Sequence, residues 1–368
     1  MDHPGSPRRG VSEQPETGWQ RLASQGKKAH GGVWMKTPAF ELHMPTTLEE
    51  ALGIARELHE RGHDFDWISG GTDLIPNYKW GINPRPHVIS ISGVDELKGI
   101  SPTRIGAMAR LQDIVESSVA HPLIVEAAGT IASIMIRRSG TLGGNLCLDT
   151  RCFWLNQSET WRKSIDYCHK CDAGTGADCR VIPNQNELCV ATYQGDLAPA
   201  LMCLDASVHL ASHRGTRSMP LEDFFQEDGI TRNVLQQGEI VTHVEIPKGS
   251  TRVVGSYQKL RHREAWDFPE GGVAFSVALS DDGAPVSFNM ASTGFESIPR
   301  KHHDMVETLA KGPDWAVEAE RLGVELKRAV RPVLNTWFPP AYRKKMASVL
   351  ARRAMEEASK RLTSAWQS

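Results

Sequence analysis

Cysteine is distributed very unevenly along this chain. Six of its seven cysteines lie between Cys147 and Cys189, in a polar segment with several glycines and turn-like stretches. Such crowding in a loop-like segment indicates that these thiols share one role. That role decides how the segment can fold, and with it how the whole chain is to be interpreted.

Composition and charge exclude several classes of function. The chain has 368 residues, enough for about two or three domains, and its 42 basic side chains are balanced by 44 acidic ones. Basic and acidic residues are also interleaved, so nucleic acid is not expected as a partner. No apolar run approaches the roughly 20 residues that cross a bilayer, so no membrane span is expected. Because the cysteines do not form a framework spread over a secreted domain, a cytoplasmic location is expected.

Regular structure is predicted from Met35 onward, whereas residues 1–34 are polar, rich in Gly, Pro and Ser, and expected to form a disordered extension. The stretch PTTLEEALGIARELHERG predicts a helix with a capping box at Thr46 or Thr47 that ends near Gly62. Strands are predicted at 64–68, 87–92 and 103–107, a helix at 123–134, an antiparallel sheet from Val241 and helices from Asp314. The predicted fold class is α+β.

Two glycine-rich loops are the first candidates for a binding site. SGGTDLIP (Ser69–Pro76) follows a predicted strand, and SGTLGGNLC (Ser139–Cys147) lies farther along the chain. Adjacent glycines let a backbone approach a ligand closely and turn its N–H groups toward phosphate oxygens. The spacing is not that of a Rossmann fingerprint. The residues alone leave two interpretations open, a clamp for a dinucleotide or two unrelated turns.

The order of motifs resembles the FAD-binding medium subunits of the molybdenum hydroxylases, the family of xanthine dehydrogenase and carbon monoxide dehydrogenase. The resemblance runs from Met35 to about Arg353. The matching motifs are F-x-x-x-x-P-T-T-L-E-E-A, S-G-G-T-D-L, I-G-A, S-G-T-L-G-G-N, D-L-A-P-A-L-x-x-L-D-A, E-I-V-T-H-V-E-I-P, Y-Q-K-x-R-x-R and R-P-V…A-Y-R.

The resemblance implies a two-part FAD-binding domain, with a small N-terminal α/β lobe and a larger α/β lobe, followed by a C-terminal antiparallel sheet with helices. The implied limits are 35–90 for the first lobe, 91–225 for the second, 147–190 for an insertion within it, and 226–368 for the C-terminal α+β domain.

The resemblance also implies the residues that bind FAD. One wall around the diphosphate would come from Ser69, Gly70, Gly71, Thr72 and Asp73, and the other from Thr141, Gly143, Gly144, Asn145 and the nearby Asp196. Lys259 matches a lysine that approaches the flavin ring, where a cation raises the flavin potential. Ile131 would lie against the flavin face, and Val241 is also assigned to the cofactor site.

The cysteine-rich segment interrupts this pattern between Asn145 and Asp196. The motif CHKC (Cys168–Cys171) is of the kind that zinc sites use, but no second C-x-x-C completes four ligands. An iron–sulfur cluster needs four thiolates and tolerates irregular spacing. The residues alone leave zinc and iron–sulfur equally open, while disulfides are disfavoured by the expected location.

The insertion as a whole resembles that of one subgroup, the flavin subunits of 4-hydroxybenzoyl-CoA reductases, in which it binds a [4Fe–4S] cluster. The shared features are NLCxDTRC, N-Q-S-x-x-WRKxIxYC and two further cysteines before D-L-A-P-A-L. The resemblance implies that the ligands are Cys152, Cys168, Cys179 and Cys189. Cys171 departs from the pattern and competes with Cys168, and Cys147 would be a free thiol beside the second glycine loop.

Three functions follow from these expectations. The first is an electron-transfer subunit with FAD and [4Fe–4S], in a complex with a molybdenum-cofactor large subunit and a two-[2Fe–2S] small subunit, arranged as a dimer of heterotrimers. Electrons would enter from a low-potential donor such as ferredoxin, and the complex would dehydroxylate an aromatic acyl-CoA on the molybdenum subunit. The second is a FAD subunit of a hydroxylase that oxidises an aromatic or heterocyclic compound. The third is a zinc-stabilised binding protein without a redox role.

Overall fold

The computed structural model describes residues 37–171, 178–184, 188–309 and 313–365, so the predicted extension 1–34 lies outside the described residues. Within these ranges the chain forms three sheets and several helices, which confirms the predicted α+β class. None of the helices in the described ranges combines the length and apolar character that a membrane span requires.

The first lobe is built on a three-stranded parallel sheet with the order β1-β3-β2. Thr47 is the N-cap of the predicted helix, because its Oγ1 accepts a hydrogen bond of 3.2 Å from the backbone N–H of Glu50. The Glu50 carboxylate accepts a bond of 2.8 Å from the N–H of Thr46, one residue before the N–H that a capping box would use. The helix α1 buries Ala55 and Leu58 against Ile89 of the sheet. The elements are β1 (Glu41–His43), α1 (Leu48–Glu60), β2 (Phe65–Ile68), α2 (Leu74–Lys79) and β3 (His87–Ser90).

In its described residues, the second lobe contains a four-stranded antiparallel sheet with the order β4-β7-β5-β6 and six short helices. Four of these helices pack on this sheet through one continuous apolar core. The elements are β4 (Arg104–Gly106), α3 (Leu111–Val115), α4 (Pro122–Gly129), α5 (Ile134–Arg137), α6 (Leu142–Leu146), α7 (Glu159–Ser164), α8 (Leu197–Met202), β5 (Ser207–Ser212), β6 (Gly215–Pro220) and β7 (Ile240–Glu245).

The helix predicted at 123–134 is wrong in its second half. The helix α4 ends at Gly129, and α5 begins only at Ile134, with Ala132 between them at φ = 41°. The buried Arg137 guanidinium donates to the carbonyl oxygens of Gly129 (3.3 Å) and Ile131 (2.8 Å). This side chain satisfies backbone acceptors at the break, so the helix can end there without leaving them unpaired.

The C-terminal part has a second four-stranded antiparallel sheet, with the order β11-β10-β9-β8, covered by two long helices. The strand β7 was predicted within this sheet but pairs with β4 and β5 of the second lobe. A boundary after β7 therefore follows the hydrogen bonding more closely than one at residue 226. The elements are β8 (Val253–Leu260), β9 (Gly271–Leu279), β10 (Pro285–Thr293), β11 (Arg300–Lys301), α9 (His303–Glu307), α10 (Trp315–Ala329) and α11 (Pro340–Ala365).

Candidate functional site

The two glycine loops lie against each other. The loop that begins at Ser69 follows the carboxyl end of β2, and Thr141 is the N-cap of α6. Thr141 Oγ1 donates a hydrogen bond of 3.1 Å to Ser69 Oγ, which joins the loops directly. Gly70 has no room for a side chain, because a Cβ atom there would overlap the carbonyl group of Ser139. The sequence prediction that these loops form one site is therefore consistent with their geometry.

Three other glycines of these loops have close neighbours or an unusual backbone conformation. A Cβ atom on Gly143 would come within 2.8 Å of Ala107 Cβ, and one on Gly144 within 3.0 Å of Ser69 Oγ. Gly71 has φ = 67°, a backbone conformation that glycine adopts without strain. The glycines thus allow close backbone approach at the carboxyl end of a parallel strand, where α/β sheets commonly bind their ligands.

An open cleft of about 530 Å³ borders both loops. Ser69, Gly70 and Thr141 line it, and the basic side chains of the lining outnumber the acidic ones. The charged lining residues are Lys98, Arg110, Arg138 and Asp113. Three cations beside backbone N–H groups and hydroxyls suit a phosphate-bearing ligand.

These cations were not identified from the sequence. Lys98 and Arg110 lie outside the glycine motifs, and only Arg138, directly before Ser139, carries a signal in the chain. Its neighbour Arg137 is buried and serves the break between α4 and α5 instead. A basic pair before a glycine loop can therefore combine one structural arginine with one that faces a ligand.

Asn145 connects the second loop to α8. Its buried side-chain oxygen accepts a hydrogen bond of 3.1 Å from the backbone N–H of Leu197, and its carbonyl oxygen accepts one from Tyr193 Oη. Asp196, the N-cap of α8, directly precedes Leu197. The amide of Asn145 thus positions the helix start that carries Asp196.

Asp196 and Lys259 form a buried ion pair. Lys259 Nζ lies 3.0 Å from Asp196 Oδ2 and also 3.0 Å from the carbonyl oxygen of Thr130, and both charged side chains are at most 3% exposed. Burial lowers the pKa of the Lys259 ammonium, whereas the Asp196 carboxylate opposes that shift. Tyr257 donates to Asp196 Oδ1 at 2.8 Å. This network holds a cation next to Ile131, which follows Thr130 in the chain.

The remaining predicted cofactor residues differ in position. Ile131 is buried at the break after α4, and its carbonyl oxygen is bound by Arg137. Val241 is buried in the core beneath the second loop, and it does not line the cleft. Thr72 and Asp73 lie in the first loop, and Asp73 is the N-cap of α2. Of the predicted cofactor residues, Ser69, Gly70 and Thr141 line the cleft, whereas Val241 lies in the apolar core.

Four cysteines of the insertion line a single small cavity. They are the four predicted ligands, Cys152, Cys168, Cys179 and Cys189, and all four are buried. Cys171 is buried in an apolar cluster that also contains Cys152, Cys168 and Cys189, but it is not among the residues that line the cavity. Cys147 lies at the end of α6, beside the second glycine loop. Chain segments separated by up to 37 residues (from Cys152 to Cys189) thus contribute cysteines to the wall of one cavity.

Backbone N–H groups face the sulfur atoms. Burial raises the pKa of the Cys152 thiol to about 12, while N–H groups of Trp154 and Leu155 act in the opposite direction. The N–H of Ile182 donates to Cys179 Sγ at 3.4 Å. Burial also raises the pKa of Cys168 and Cys189, again opposed by backbone N–H groups. Such donors stabilise thiolates, the form in which cysteine binds metals.

The sulfur atoms of the described cysteines do not converge on one point. Among the described residues, no three cysteine sulfurs lie within 4.8 Å of one another. A tetrahedral zinc site with Zn–S bonds of about 2.3 Å places its sulfurs about 3.8 Å apart. A cubane cluster separates its thiolates further, because two iron atoms lie between any two of them. The cavity contains about 280 Å³ of empty space, part of which is open to solvent.

His169 was not predicted to belong to this site. It lines the cavity, and its Nε2 atom is buried without a hydrogen-bond partner in the described part of the chain. Buried polar atoms are usually satisfied, so an unpaired one beside four sulfurs indicates a missing acceptor or bond. The position of this histidine next to Cys168 was the available signal.

The cleft and the cavity are linked by Arg151. This largely buried arginine precedes Cys152, and its guanidinium forms an ion pair with Asp73 of the first glycine loop. It also lies 4.6 Å from the centre of the Phe268 ring. The insertion is further held by the buried Asn335, whose amide donates to the carbonyl oxygen of Val190 at 2.7 Å. The ion pair of Arg151 attaches the insertion to the first glycine loop, and the hydrogen bond of Asn335 attaches it to the C-terminal part of the chain.

Comparisons with known proteins agree with this geometry. The model of the FAD-binding domain in molybdopterin dehydrogenase matches residues 38–249. The carbon monoxide dehydrogenase medium chain of Afipia carboxidovorans is 26% identical over 332 residues, which are 88% of this chain and 98% of the relative. The nicotinate dehydrogenase FAD-subunit of Eubacterium barkeri is 28% identical over 311 residues, 80% of this chain and 85% of the relative.

A solved structure shows the same fold. Carbon monoxide dehydrogenase from Oligotropha carboxidovorans superimposes with a TM-score of 0.70 at 22% identity, covering 89% of this chain and 99% of the other. The family match spans more than half of the 368 residues. This chain therefore belongs to the family of FAD-binding domains of molybdopterin dehydrogenases and is a subunit of an oxidoreductase.

Proposed function

We propose that this chain is an electron-transfer subunit that binds FAD between its glycine loops and a [4Fe–4S] cluster in its cysteine cavity. The observation that carries the proposal is that four cysteines of one insertion, and not the other two, line a single cavity. The glycine loops supply the second half, because a Cβ atom on Gly70 would overlap the Ser139 carbonyl group and one on Gly144 would come within 3.0 Å of Ser69 Oγ.

For FAD, we assign the residues of both loops and the ion pair beside them. When bound, the flavin exchanges one or two electrons. Backbone N–H groups and hydroxyls would bind the diphosphate, helped by the cations of the cleft, and the Asp196–Lys259 pair would place a cation near the ring. The assigned residues are Ser69, Gly70, Gly71, Thr72, Asp73, Ile131, Thr141, Gly143, Gly144, Asn145, Asp196, Val241 and Lys259.

For the metal centre, we assign Cys152, Cys168, Cys179 and Cys189 as ligands of a [4Fe–4S] cluster, which supplies one-electron transfer when bound. No three cysteine sulfurs of the described residues lie within 4.8 Å of one another, which favours a cluster over a single zinc ion, because zinc needs its ligands to converge. The names of the two relatives reported above do not mention an iron–sulfur cluster. The assignment of the cluster therefore depends on the cysteine-rich insertion of this chain.

The proposed role of the chain's own residues is to hold the two groups close together and away from water. Arg151 forms an ion pair with Asp73 of the first glycine loop and directly precedes the proposed ligand Cys152. A single ion pair therefore joins the two sites in space. Trp154 lines the cavity and packs on Trp161, with ring centres 5.8 Å apart. Aromatic walls of this kind lower the local dielectric and influence the cluster potential.

We further propose that the chain works with a molybdenum-cofactor large subunit and a two-[2Fe–2S] small subunit, as a dimer of heterotrimers. The similarity of the insertion to 4-hydroxybenzoyl-CoA reductases supports inward electron flow, from a donor such as ferredoxin to a molybdenum site that dehydroxylates an aromatic acyl-CoA. The similarity to a nicotinate dehydrogenase FAD-subunit supports the second candidate, in which a hydroxylase of an aromatic or heterocyclic compound passes electrons outward.

Reduction potentials separate the two directions. Redox titration of the purified complex, followed by flavin absorbance and by electron paramagnetic resonance of the cluster, would give both values. Inward flow predicts a cluster potential well below that of the flavin. A cluster potential well above the flavin would reject the reductive function and leave the hydroxylase.

A further inference from the structure

Three potential metal ligands converge on the first lobe, away from both sites described above. Glu41 and His43 are two residues apart on β1, so their side chains point to the same face of the sheet. The parallel pairing places Glu41 directly beside His87 of β3. Strand periodicity and register therefore bring one carboxylate and two imidazoles together.

The distances between these donor atoms match one metal ion. His43 Nε2 lies 3.3 Å from His87 Nδ1, Glu41 Oε2 lies 3.5 Å from His87 Nδ1, and Glu41 Oε1 lies 3.8 Å from His43 Nε2. Tetrahedral Zn²⁺ with bonds of about 2.0–2.1 Å to nitrogen and oxygen separates its ligands by about 3.4 Å. The three donors thus have nearly the separations that zinc requires, without a change of strand geometry.

Burial and access also fit a bound ion. The side chains of His43 and His87 are only 19% and 14% exposed, so their rings are held in place, whereas Glu41 is 66% exposed and opens the site to solvent. The ring of His63 contacts His87 edge-on, with centres 4.9 Å apart, and so helps to hold the His87 ring in place. The strands therefore supply a nearly fixed donor pair, and the open side allows an ion to enter.

A second group on the other lobe provides a contrast. His209 and His243 also approach Glu245, but their rings are stacked, with centres 4.2 Å apart and an angle of 13°. Stacked rings direct their in-plane nitrogen lone pairs side by side and not toward a common point. The positive charge of Arg104 also lowers the pKa of His243, after the larger effect of burial. This second group serves as the control.

We propose that Glu41, His43 and His87 bind a zinc ion, with water in the fourth position. The ion would connect the short edge strand β1 to β3 and so stabilise the lobe that carries the first glycine loop. Metal binding stabilises the folded state by mass action, since the ligands come together only on folding.

Zinc stoichiometry of matched variants tests this site in the full-length protein. After dialysis against a chelator, Zn²⁺ would be titrated into the wild type, His43→Asn/His87→Asn and the control His209→Asn/His243→Asn, with circular dichroism confirming that each is folded. Zinc held by the cysteines would be equal in all three, so the comparison does not depend on the function proposed above. Glu41→Gln, an exposed single substitution, gives a second variant should the double variant not fold.

The proposal predicts that the wild type and the control bind one zinc ion more per chain than His43→Asn/His87→Asn, at micromolar or lower free zinc. Zinc should raise the melting temperature of the wild type and control only, and Glu41→Gln should bind the ion more weakly. Equal zinc stoichiometry in the wild type and His43→Asn/His87→Asn would overturn the proposal. Binding seen only at millimolar zinc, or loss of the ion in the control, would overturn it as well.

Discussion

The cleft between the glycine loops and the cysteine cavity differ in how their walls are made. The cleft uses backbone and small residues from several elements, with Gly70 packed on Ser139 and Thr141 bonded to Ser69. The cavity uses four side chains of one insertion, on irregular chain between α6 and α8. A wall of backbone tolerates the loss of most single side chains, whereas a ligand set of four depends on every member. The two sites should therefore respond to substitution in different ways.

The largest expected effect is the loss of the metal centre. Replacing Cys179 with serine removes one of four thiolates, and we expect the visible absorbance and the iron of the cluster to disappear while FAD remains bound. Cys171→Ser is the matched control, because Cys171 is equally buried but does not line the cavity. Iron analysis and absorbance spectra measure both. Retention of the cluster in Cys179→Ser, or its loss in Cys171→Ser, would reverse the ligand assignment.

The next effect concerns the connection between the two sites. Arg151→Ala leaves the Asp73 carboxylate without its partner, and breaking a buried ion pair costs about 3 kcal/mol. We expect reduced stability in urea and weaker retention of both groups. The control is Arg252→Ala, whose partner Asp281 is exposed, and such surface pairs contribute about 0–1 kcal/mol. Equal stabilities of the two variants would show that Arg151 does not couple the sites.

A third prediction separates the backbone wall from the rest of the fold. Gly70→Ala places a methyl group against the Ser139 carbonyl, so the loops must part, at a cost of about 1–3 kcal/mol. FAD occupancy should fall, and iron content should change little. Gly53→Ala in α1 is the control, because nothing lies near a Cβ atom there, and it should stabilise the protein by about 0.5–1 kcal/mol. Flavin content per chain and urea unfolding give both results, and normal flavin content in Gly70→Ala would contradict the assignment of this loop.

The smallest effect is expected at His169. If its unpaired Nε2 atom donates a hydrogen bond to the cluster, then His169→Leu should lower the cluster potential without loss of iron, because hydrogen bonds to sulfur raise that potential. His213→Leu, outside the insertion, should leave the potential unchanged. Potentiometric titration distinguishes them, and an unchanged potential in His169→Leu would leave this histidine a structural role only.

Local sequence patterns predicted the helices and strands of this fold better than they predicted which strands pair with each other. The capped helix α1 and the strands β2, β3 and β4 follow from periodicity and capping, which act over a few residues. The pairing of β7 with β4 joins residues far apart in the chain, and periodicity does not encode the partner of a strand. The break after α4 depends on Arg137, a side chain outside the predicted helix.

The candidate sites show the same limit. Motif resemblance predicted the glycine loops and four cysteines as site residues, because those residue types and their order are local features of the chain. Other contacts form only when distant segments of the chain fold together. They are the approach of Lys98 and Arg110 to the cleft, the ion pair of Arg151 with Asp73, and the hydrogen bond from Asn335 to Val190. The sequence therefore indicated the chemistry of each site but not what connects the two.

Cofactor analysis of the full-length protein tests the central claim most directly. The protein would be purified without oxygen, and iron, acid-labile sulfide, zinc and flavin would be measured per chain. We expect about four iron atoms and about four sulfides per chain, together with one FAD. One zinc ion per chain held by the cysteines and lost in Cys179→Ser, with no iron and no sulfide, would contradict the proposed cluster.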